Sequence, residues 1–384
     1  MMAETVDLLG GDVASRLGSA RIVEVEAIPV SLPYRRPPRF ASGAVSRADN
    51  VLVRIHTDLG LVGHAEAQPR PYTYGETQVS IVGAIDGWFA PRLRGMRPGA
   101  LEEARRACEG LVGNHCARGA IDVALWDLVG QLAGVPCSTL LGGAADRVEV
   151  AHMVSFDTPD AMAEEARTMR AELGIRTFKV KVGRDPDLDV AAVRAVREAV
   201  PDAELYVDAN RGWTLEEALR AGDALLALDV LTIEEPIAID DRRGRALLAA
   251  RWDVPLAGDE SCTSLADVRR AIEEGAIGQV SMKAARTGFS ESRDVLALCR
   301  AHRIPVVVGS QYEGALGTLA SIALGAAHAE TALRPVEAAS FLDLAADLLA
   351  EAPRIADGYV RVPSGAGLGY VIDPDALATH RLDG

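Results

Sequence analysis

The chain has 384 residues, enough for a large domain and a smaller second domain, because single cores stop growing beyond about 250–300 residues. Its 40 Lys and Arg residues against 55 Asp and Glu residues give a formal charge of −15. That balance excludes nucleic acid and an anionic membrane as main partners, since both require a basic surface.

The five cysteines form no CxxC pair, which predicts reduced, mostly buried thiols in a cytoplasmic protein. The N-terminal segment lacks a basic stretch followed by a long apolar run, so we expect no signal peptide. No stretch approaches the roughly 20 apolar residues of a membrane span. We therefore expect a protein that acts away from membranes.

Residues 21–65 have the pattern of β-strands. Residues 21–32 alternate apolar and polar side chains, and residues 50–67 read as a hairpin that turns at 58–60. Three helical patterns follow: ETQVSIVGAIDGWFAPRL, LEEARRACEGLVG and ARGAIDVALWDLVGQLAG. Strands followed by a run of helices predict a separate α+β domain that ends near residue 145.

Strands and helices then alternate to about residue 342. The candidate strands cover residues 148–156, 177–183, 204–210, 230–236, 255–260, 279–284, 305–310 and 336–342. Their polar ends, Lys181, Asp208, Glu234, Asp259 and Lys283, are 27, 26, 25 and 24 residues apart. One strand, turn and helix need about 25–30 residues, so eight such strands favour a closed β/α barrel over an open doubly wound sheet. No nucleotide fingerprint supports the open sheet, because the GxGxG at 365–369 opens no helix and is better interpreted as a turn.

Three carboxylates at the ends of consecutive strands predict a metal site. Any one of them alone is more simply a solvated residue or a helix cap. Together, Asp208, Glu234 and Asp259 offer hard oxygen ligands side by side, which suits an octahedral cation completed by water and substrate. Without a cation they would repel one another and resist ionisation.

Two lysines complete the predicted site. Lys181 and Lys283 end the second and sixth strands, so they should face each other across an eight-stranded ring. Abstracting a proton next to a carboxylate requires a stabilised enediolate, which a chelated Mg²⁺ provides. Lys179 shares a strand face with Lys181 and would lower the pKa of a lysine base. Glu260 is a candidate to hydrogen-bond Lys283, although an ordinary surface glutamate is an equal interpretation.

The ordered motifs resemble those of the enolase superfamily, specifically its muconate-lactonizing subgroup, from about residue 21 onward. They are Lys179-Val180-Lys181, Asp208-Ala209-Asn210, Glu234-Glu235-Pro236, Gly258-Asp259-Glu260-Ser261 and Lys283. The resemblance implies an α/β fold: a modified (β/α)7β TIM-like barrel over residues 146–354. It also implies an α+β capping domain over residues 21–145, to which the tail 355–384 returns.

The resemblance also implies roles for individual residues. Asp208, Glu234 and Asp259 would bind Mg²⁺, with Mn²⁺ as an alternative, and Lys181 and Lys283 would act as acid and base, with Lys179 in the catalytic set. Specificity in such enzymes comes from two capping loops, here about 33–45 and 64–76. The candidate substrate contacts or supporting residues are Arg36, Arg39, Tyr72, Tyr74, Asn210, Glu260 and Glu313.

Two differences from the motifs of related subgroups narrow the assignment of this chain. Relatives of mandelate racemase carry a histidine at the end of the seventh strand, where this chain reads VVVGSQYEG, and His302 lies upstream in a predicted surface helix. Dipeptide epimerases carry Asp-x-Asp on the eighth strand, where this chain has Asp343 but no second aspartate two residues on. The run SQYEGALGTLAS is similar to the corresponding region of muconate cycloisomerases.

We therefore predict a muconate cycloisomerase-like lyase or isomerase acting on a small-molecule carboxylate. A racemase or epimerase of an amino-acid derivative (an N-acyl amino acid, a proline derivative or a dipeptide) is a second interpretation, because two lysines permit proton exchange on either face. A dehydratase of a hydroxy acid such as hydroxyproline is a third. A non-enzymatic carboxylate-binding scaffold is disfavoured because the constellation is complete. A homo-oligomer is the default expectation.

Overall fold

An antiparallel sheet and its helices form the N-terminal part of the fold. The computed structural model describes residues 11–41 and 43–383. Helix α1 (Gly11–Ser19) precedes strand β1 (Ile22–Pro33), a short hairpin of β2 (Arg39–Phe40) and β3 (Gly43–Ala44), and strands β4 (Arg47–Thr57) and β5 (Val62–Ala67). The sheet order is β1-β4-β5, all antiparallel. Gly60 adopts φ +76° in the predicted β4–β5 turn, a conformation that glycine tolerates without strain.

Helices cover one face of this sheet. They are α2 (Gln78–Ala84), a π-helical turn (Ile85–Phe89), α3 (Ala90–Leu93), α4 (Leu101–Glu109), α5 (His115–Ala133) and α6 (Cys137–Leu141). Helix α5 is buried along most of its length because it packs between the sheet and the barrel. It ends at Gly134, which has the left-handed conformation typical of a helix C-cap and precedes Pro136.

Eight parallel strands form a closed barrel. They are β6 (Arg147–Val154), β7 (Thr177–Lys181), β8 (Glu204–Asp208), β9 (Val230–Glu234), β10 (Leu256–Gly258), β11 (Gln279–Met282), β12 (Val306–Val308) and β13 (Val336–Glu337). They pair in chain order, and the contact of Val336 with Val150 closes the ring. The predicted barrel is confirmed.

Helices surround the barrel and connect its strands. They are α7 (Pro159–Leu173), α8 (Pro186–Ala199), α9 (Leu215–Leu226), α10 (Arg242–Arg251), α11 (Leu265–Glu273), α12 (Ala284–Thr287), α13 (Ser290–His302), α14 (Ala315–Gly325) and α15 (Ala329–Ala332). Alternation along β7 places Phe178 and Val180 in the apolar layer against these helices. Lys179 and Lys181 consequently point into the barrel.

The eighth strand is shorter than predicted. A strand over residues 336–342 is wrong beyond Glu337, because a 3₁₀ turn (Ser340–Asp343) follows. The Ser340 hydroxyl donates to the Glu313 carbonyl at 2.8 Å and draws this segment across the barrel mouth.

The C-terminal segment contacts both parts of the fold. Strands β14 (Ile355–Ala356) and β15 (Tyr359–Arg361) form a hairpin that pairs antiparallel with β6. After helix α16 (Pro374–His380), Leu382 N donates to the Pro29 carbonyl of β1 at 2.8 Å. The domain limits at residues 145, 354 and 355 stay predictions.

The cysteines are free and buried, as predicted. The GxGxG at 365–369 forms a turn, with Gly367 and Gly369 both at φ +69°. Across residues 11–41 and 43–383, each helix is too short or too polar to cross a membrane.

Candidate active site

A cavity opens at the C-terminal ends of the barrel strands. Barrel enzymes place catalytic groups at this face. The capping loops contribute Phe40, Arg70, Thr73 and Tyr74 to its wall. The barrel contributes Ala151, His152, Met153, Lys179, Lys181, Asn210, Asp259, Lys283, Ser310, Gln311, Tyr312, Glu337, Ala339, Ser340 and Asp343.

The three predicted carboxylates lie together at this face. Asp208, Glu234 and Asp259 are buried, and one carboxylate oxygen from each lies within 4.8 Å of the other two. The chain turns sharply after two of these strands, since Asn210 and Glu235 both have φ +41°. Left-handed backbone at non-glycine residues is uncommon and is concentrated at functional sites.

Glu235 holds the third carboxylate in place. Its carboxylate accepts hydrogen bonds from Asp259 N at 2.6 Å and Ser261 N at 2.9 Å. Arg245 compensates its charge at 2.6 Å. The loop that carries Asp259 is therefore fixed by a buried and fully paired carboxylate.

Lys179 lies among carboxylates. Its Nζ is 2.8 Å from Glu234 Oε1, 3.0 Å from Glu337 Oε1 and 3.1 Å from Asp208 Oδ2. Burial alone would lower the pKa of Lys179, but the charges of Asp208 and Glu234 outweigh it and raise that pKa well above the ordinary value. This ammonium group compensates negative charge beneath the metal-ligand candidates.

The two other lysines flank the carboxylates. Lys181 Nζ lies 2.7 Å from both Asp208 Oδ2 and Asn210 Oδ1. Lys283 Nζ lies 2.5 Å from Asp259 Oδ2 and 3.0 Å from the Tyr74 hydroxyl. These are the only lysines in the 384-residue sequence, where the other 37 of the 40 basic residues are arginine.

The electrostatics of the three carboxylates fit a cation. Burial would raise the pKa of Asp208, but the charges of Lys179 and Lys181 lower it to about 2. Burial raises the pKa of Glu234 well above the ordinary value, and the charges of Asp208 and Asp259 add to that effect although Lys179 opposes it. A divalent cation would favour the ionised form of Glu234, and three hard oxygen donors suit Mg²⁺ or Mn²⁺.

The predicted bond between Glu260 and Lys283 is wrong in this structure. Glu260 accepts a hydrogen bond from Asn210 Nδ2 at 3.1 Å, and Arg211 Nε lies 3.3 Å from the same oxygen. Lys283 donates instead to Asp259 and to the Tyr74 hydroxyl, whereas Glu260 lies beside the end of strand β8. Asn210 consequently links Glu260 to Lys181.

The predicted residues of the capping loops differ in whether they line the cavity. The Tyr74 hydroxyl donates to Asp259 Oδ1 at 2.9 Å and lines the cavity, as expected for a contact residue. Arg36 lies outside the cavity lining and pairs with Asp343 at 2.5 Å and Glu165 at 3.1 Å. Tyr72, with 66% of its surface exposed, points away.

Two further predicted residues lie beside the cavity. Arg39 is exposed, 4.0 Å from Asp157. Glu313 is buried and accepts from Gln311 N at 2.6 Å and from the Ser310 hydroxyl, so it supports two lining residues from a neighbouring smaller cavity.

Three residues that line the cavity or contact its lining were missed at the sequence level. Glu337 follows Lys283 by 54 residues, twice the βα repeat, and this spacing could have identified it. Arg286 bonds Asp259 and, at 2.7 Å, the Tyr74 hydroxyl, and it lies one helical turn after Lys283. Arg70 lies in the predicted capping loop, but no spacing distinguishes it from the other arginines of the two loops.

Two family models match most of the chain. The model described as "Mandelate racemase / muconate lactonizing enzyme, N-terminal domain" matches residues 22–142, and the one described as "Enolase C-terminal domain-like" matches residues 161–376.

Relatives with different activities share the fold. Muconate cycloisomerase 1-2 of Acinetobacter lwoffii is 36% identical, over 94% of this chain and 96% of that protein. The crystal structure of muconate lactonizing enzyme from Mycobacterium smegmatis, complexed with muconolactone, superposes with a TM-score of 0.93 at 46% identity, over 94% of this chain and 100% of that one. A dipeptide epimerase from Cytophaga hutchinsonii, complexed with Mg and D-Ala-L-Val, gives 0.88 at 28% identity, over 94% and 98%.

Proposed function

Because the chain belongs to the mandelate racemase / muconate lactonizing enzyme family of the enolase superfamily, we propose that it moves the proton next to a substrate carboxylate in a Mg²⁺-dependent reaction. The best-supported reaction is a muconate-type cycloisomerisation. The observation that carries this proposal is the buried group of Asp208, Glu234 and Asp259 between Lys181 and Lys283.

Each side chain has a distinct task in this proposal. Mg²⁺ held by the three carboxylates would supply the positive charge that stabilises the enediolate anion of the substrate. In the lactonising direction, a carboxylate oxygen closes the ring and one lysine ammonium group donates its proton to the α-carbon. Asn210 positions Lys181, and Tyr74 positions Lys283, so each amine has a fixed direction of approach.

The surroundings of Asp343 favour cycloisomerisation over dipeptide epimerisation. A dipeptide brings an ammonium group that needs an uncompensated carboxylate in the cavity. Asp343 lines the cavity, but Arg36 neutralises it at 2.5 Å and the Tyr312 hydroxyl donates to it. The greater similarity to the muconate lactonizing enzyme of M. smegmatis, 46% identical, agrees with this preference.

An epimerase or racemase is the second candidate. The placement of one lysine on each side of the carboxylates supports it, because epimerisation removes a proton on one face and returns it on the other. A cycloisomerase needs only one of the two amines. The reaction can therefore be assigned by asking which lysine each substrate requires.

The test is turnover with Mg²⁺ in D₂O, followed by proton NMR. We expect cis,cis-muconate to be converted to a lactone with one deuterium at the carbon next to the carboxylate. Lys181→Ala and Lys283→Ala should each be assayed for lactonisation and for washout of the α-proton. Loss of an essential general acid should reduce kcat by about 10²–10⁴-fold.

The matched control replaces an exposed cation, as in Arg300→Met, and should leave turnover unchanged. Epimerisation of a dipeptide or an N-acyl amino acid in the absence of lactonisation would shift the assignment to the second candidate. Turnover that survives both lysine substitutions would contradict the proposed chemistry for either reaction.

A further inference from the structure

A second cavity lies between the cap and the barrel. Helices α4 and α5 line it from the cap side, and the start of α11 and the turn between α12 and α13 line it from the barrel side. None of its described lining residues also lines the cavity at the barrel mouth. Its volume is about 120 Å³. An apolar cavity of about 150 Å³ can bind benzene, so this one has room for a small organic ligand.

Arg118 gives this second cavity a positive charge without an acidic partner. Arg118 lines the cavity, and its Nη2 donates to His115 Nδ1 at 3.1 Å. Burial and the charges of Arg118 and Arg286 lower the pKa of His115 to about 4, so this ring is neutral near neutral pH. Within the part of the chain that the structure describes, no carboxylate lies within 4.0 Å of the Arg118 guanidinium group. An anion would compensate its charge better than the neutral imidazole does.

The acidic side chains of the lining, by contrast, already accept hydrogen bonds or pair with a cation. Asp122 accepts from two backbone N–H groups and a hydroxyl at the start of α13. Glu291 accepts from the first backbone N–H of α11 at 2.8 Å, and Glu109 pairs with Arg105 at 3.5 Å. These partners reduce the repulsion that the three acids would exert on an incoming anion.

Arg286 connects the second cavity to the catalytic site. It lines the second cavity, while its Nη1 bonds Asp259 and, at 2.7 Å, the Tyr74 hydroxyl. Among the described residues of this lining, the Nε groups of Arg286 and Arg118 are the only buried side-chain polar atoms without a hydrogen-bond partner. Two unused cationic donors at one cavity favour an anionic ligand.

The rest of the lining suits a hydrocarbon group. Ile121 and Leu125 of α5 and Ala104 of α4 are buried and line the cavity, and Leu265 lines it from the barrel side. Burying apolar ligand surface against such side chains is favourable. The ligand should therefore combine one negative charge with a short apolar body.

We propose that the second cavity binds a small organic monoanion, with its charged group between Arg118 and Arg286, and that this ligand acts on the catalytic site. An anion there shares the Arg286 guanidinium group with Asp259 and so weakens the hold of Arg286 on that carboxylate. Asp259 then becomes more available to a divalent cation. The binding site itself does not depend on the proposed reaction.

Binding can be tested by calorimetry of the whole protein in Mg²⁺ with three probes. Butanesulfonate has both the charge and the apolar body, butanol has the body alone, and methanesulfonate has the charge with almost no body. A charge-assisted hydrogen bond contributes roughly 10- to 100-fold in affinity, so butanesulfonate should bind more tightly than butanol by about that factor. Methanesulfonate should bind more weakly than butanesulfonate. Equal affinities for butanesulfonate and butanol would overturn the inference.

Variants locate the bound anion. Arg118→Met should reduce the preference for butanesulfonate over butanol to a few-fold, and Arg118→Lys should restore part of it. Arg300→Met, which removes an exposed cation paired with Glu330, should leave the preference unchanged. Lys181→Ala, which removes a cation of the barrel mouth, should also leave it unchanged. Binding that is lost in Lys181→Ala but kept in Arg118→Met would place the anion at the barrel mouth and overturn the inference.

A second variant covers the case in which Arg118→Met does not fold. Leu265 is only partly buried at the start of α11, so Leu265→Trp can fill the second cavity from its edge. This substitution should abolish the binding of butanesulfonate. Undiminished binding would contradict the proposed site.

The effect on the catalytic site has its own readout. Saturating butanesulfonate should tighten Mg²⁺ binding by about 5-fold or more in the wild-type protein, measured by calorimetry, and should not do so in Arg118→Met. Unchanged or weaker Mg²⁺ binding would overturn the coupling through Arg286. Because these measurements do not use turnover, they can fail while the proposed reaction stands, and the proposed reaction can fail while they succeed.

Discussion

Glu66 ties the capping sheet to the barrel through its side chain. One carboxylate oxygen accepts from Gly314 N at 3.0 Å and from Asn50 Nδ2 at 2.5 Å, and the other accepts from Gly317 N at 2.9 Å. These glycines lie at the start of α14, where backbone N–H groups are unpaired and negative charge is favoured. Burial and the charge of Asp347 nevertheless raise the pKa of Glu66 to about 7.

This pKa predicts a specific pH dependence of stability. Because the folded-state pKa of Glu66 exceeds its ordinary value of 4.5, the folded protein binds an extra proton between about pH 4.5 and 7. The contribution of Glu66 to the free energy of unfolding therefore falls as pH rises through that window, by on the order of 3 kcal/mol. Glu66→Gln should remove this slope, measured as the difference in unfolding free energy from the wild type at each pH.

Other ionisable groups lie near Glu66, so the pH experiment needs a control substitution. Asp347 faces it and also has a raised pKa through burial, and Tyr34 nearby stays neutral because burial raises its pKa. Glu66→Gln replaces one carboxylate oxygen with an NH₂ group and so loses a hydrogen-bond acceptor. This loss changes the free energy of unfolding by a similar amount at every pH, so only the change of that free energy with pH tests the prediction. For the control Glu24→Gln, which changes an exposed residue, the unfolding free energy should vary with pH as it does in the wild type. The same pH dependence in Glu66→Gln would refute the prediction.

At the scale of elements, the packing of α5 against α12 positions the sixth-strand lysine. Helix α12 begins directly after Lys283, and α5 of the cap crosses it at Gly119. A Cβ atom at Gly119 would lie 2.9 Å from the Arg286 carbonyl oxygen and 3.0 Å from that of Ala285. The absence of a side chain at Gly119 permits this close approach of α5 to α12.

Gly119→Ala should therefore disturb both stability and catalysis. Overpacking costs about 1–3 kcal/mol, and the displaced α12 would move Lys283 and Arg286, so kcat should fall. Gly83→Ala is the matched control, since this glycine is exposed in α2 and its Cβ would meet nothing within 4 Å. It should stabilise the protein by about 0.5–1 kcal/mol in urea unfolding. Equal effects of the two substitutions would contradict this account of the interface.

The sequence predicted those elements whose signal is a pattern among residues close together in the chain. Alternation within β7 and the 24- to 27-residue spacing of strand ends identified the barrel and the five charged residues at its mouth. Both signals arise from neighbouring residues in one βα unit. The end of β13 escaped prediction, because a contact with Glu313 from another connection bends the chain after Glu337.

At the scale of the whole molecule, metal binding should be linked to folding. The three carboxylates come from separate strands, so the complete ligand set exists only in the folded barrel. A ligand that binds only the folded state stabilises it by about 2.7 kcal/mol at one hundred times its Kd. We expect Mg²⁺ to raise Tm by several degrees in scanning calorimetry and EDTA to reverse the increase. Asp208→Asn should abolish the Mg²⁺ response, and an equal response in that variant would place the cation elsewhere.

Contacts between distant parts of the chain could not be predicted. Tyr74 and Arg286, 212 residues apart, meet only because the cap sits on the barrel mouth. The pairing of Arg36 with Asp343 has the same origin, and it neutralises a cation that the sequence had suggested as a substrate contact. Which charged loop residues are paired with an opposite charge is therefore a property of the assembled fold.

The confinement of lysine to the cavity has a practical consequence for spectroscopy. Arginine keeps its proton under all working conditions, whereas lysine can exchange one, and this chain has lysine only in the lining of the cavity. Every side-chain amine of the sequence therefore lies among the three candidate metal ligands. Reductive methylation with ¹³C-formaldehyde would introduce labels at Lys179, Lys181 and Lys283 without a background of surface lysines. Each resonance would report on one position beside the candidate metal ligands.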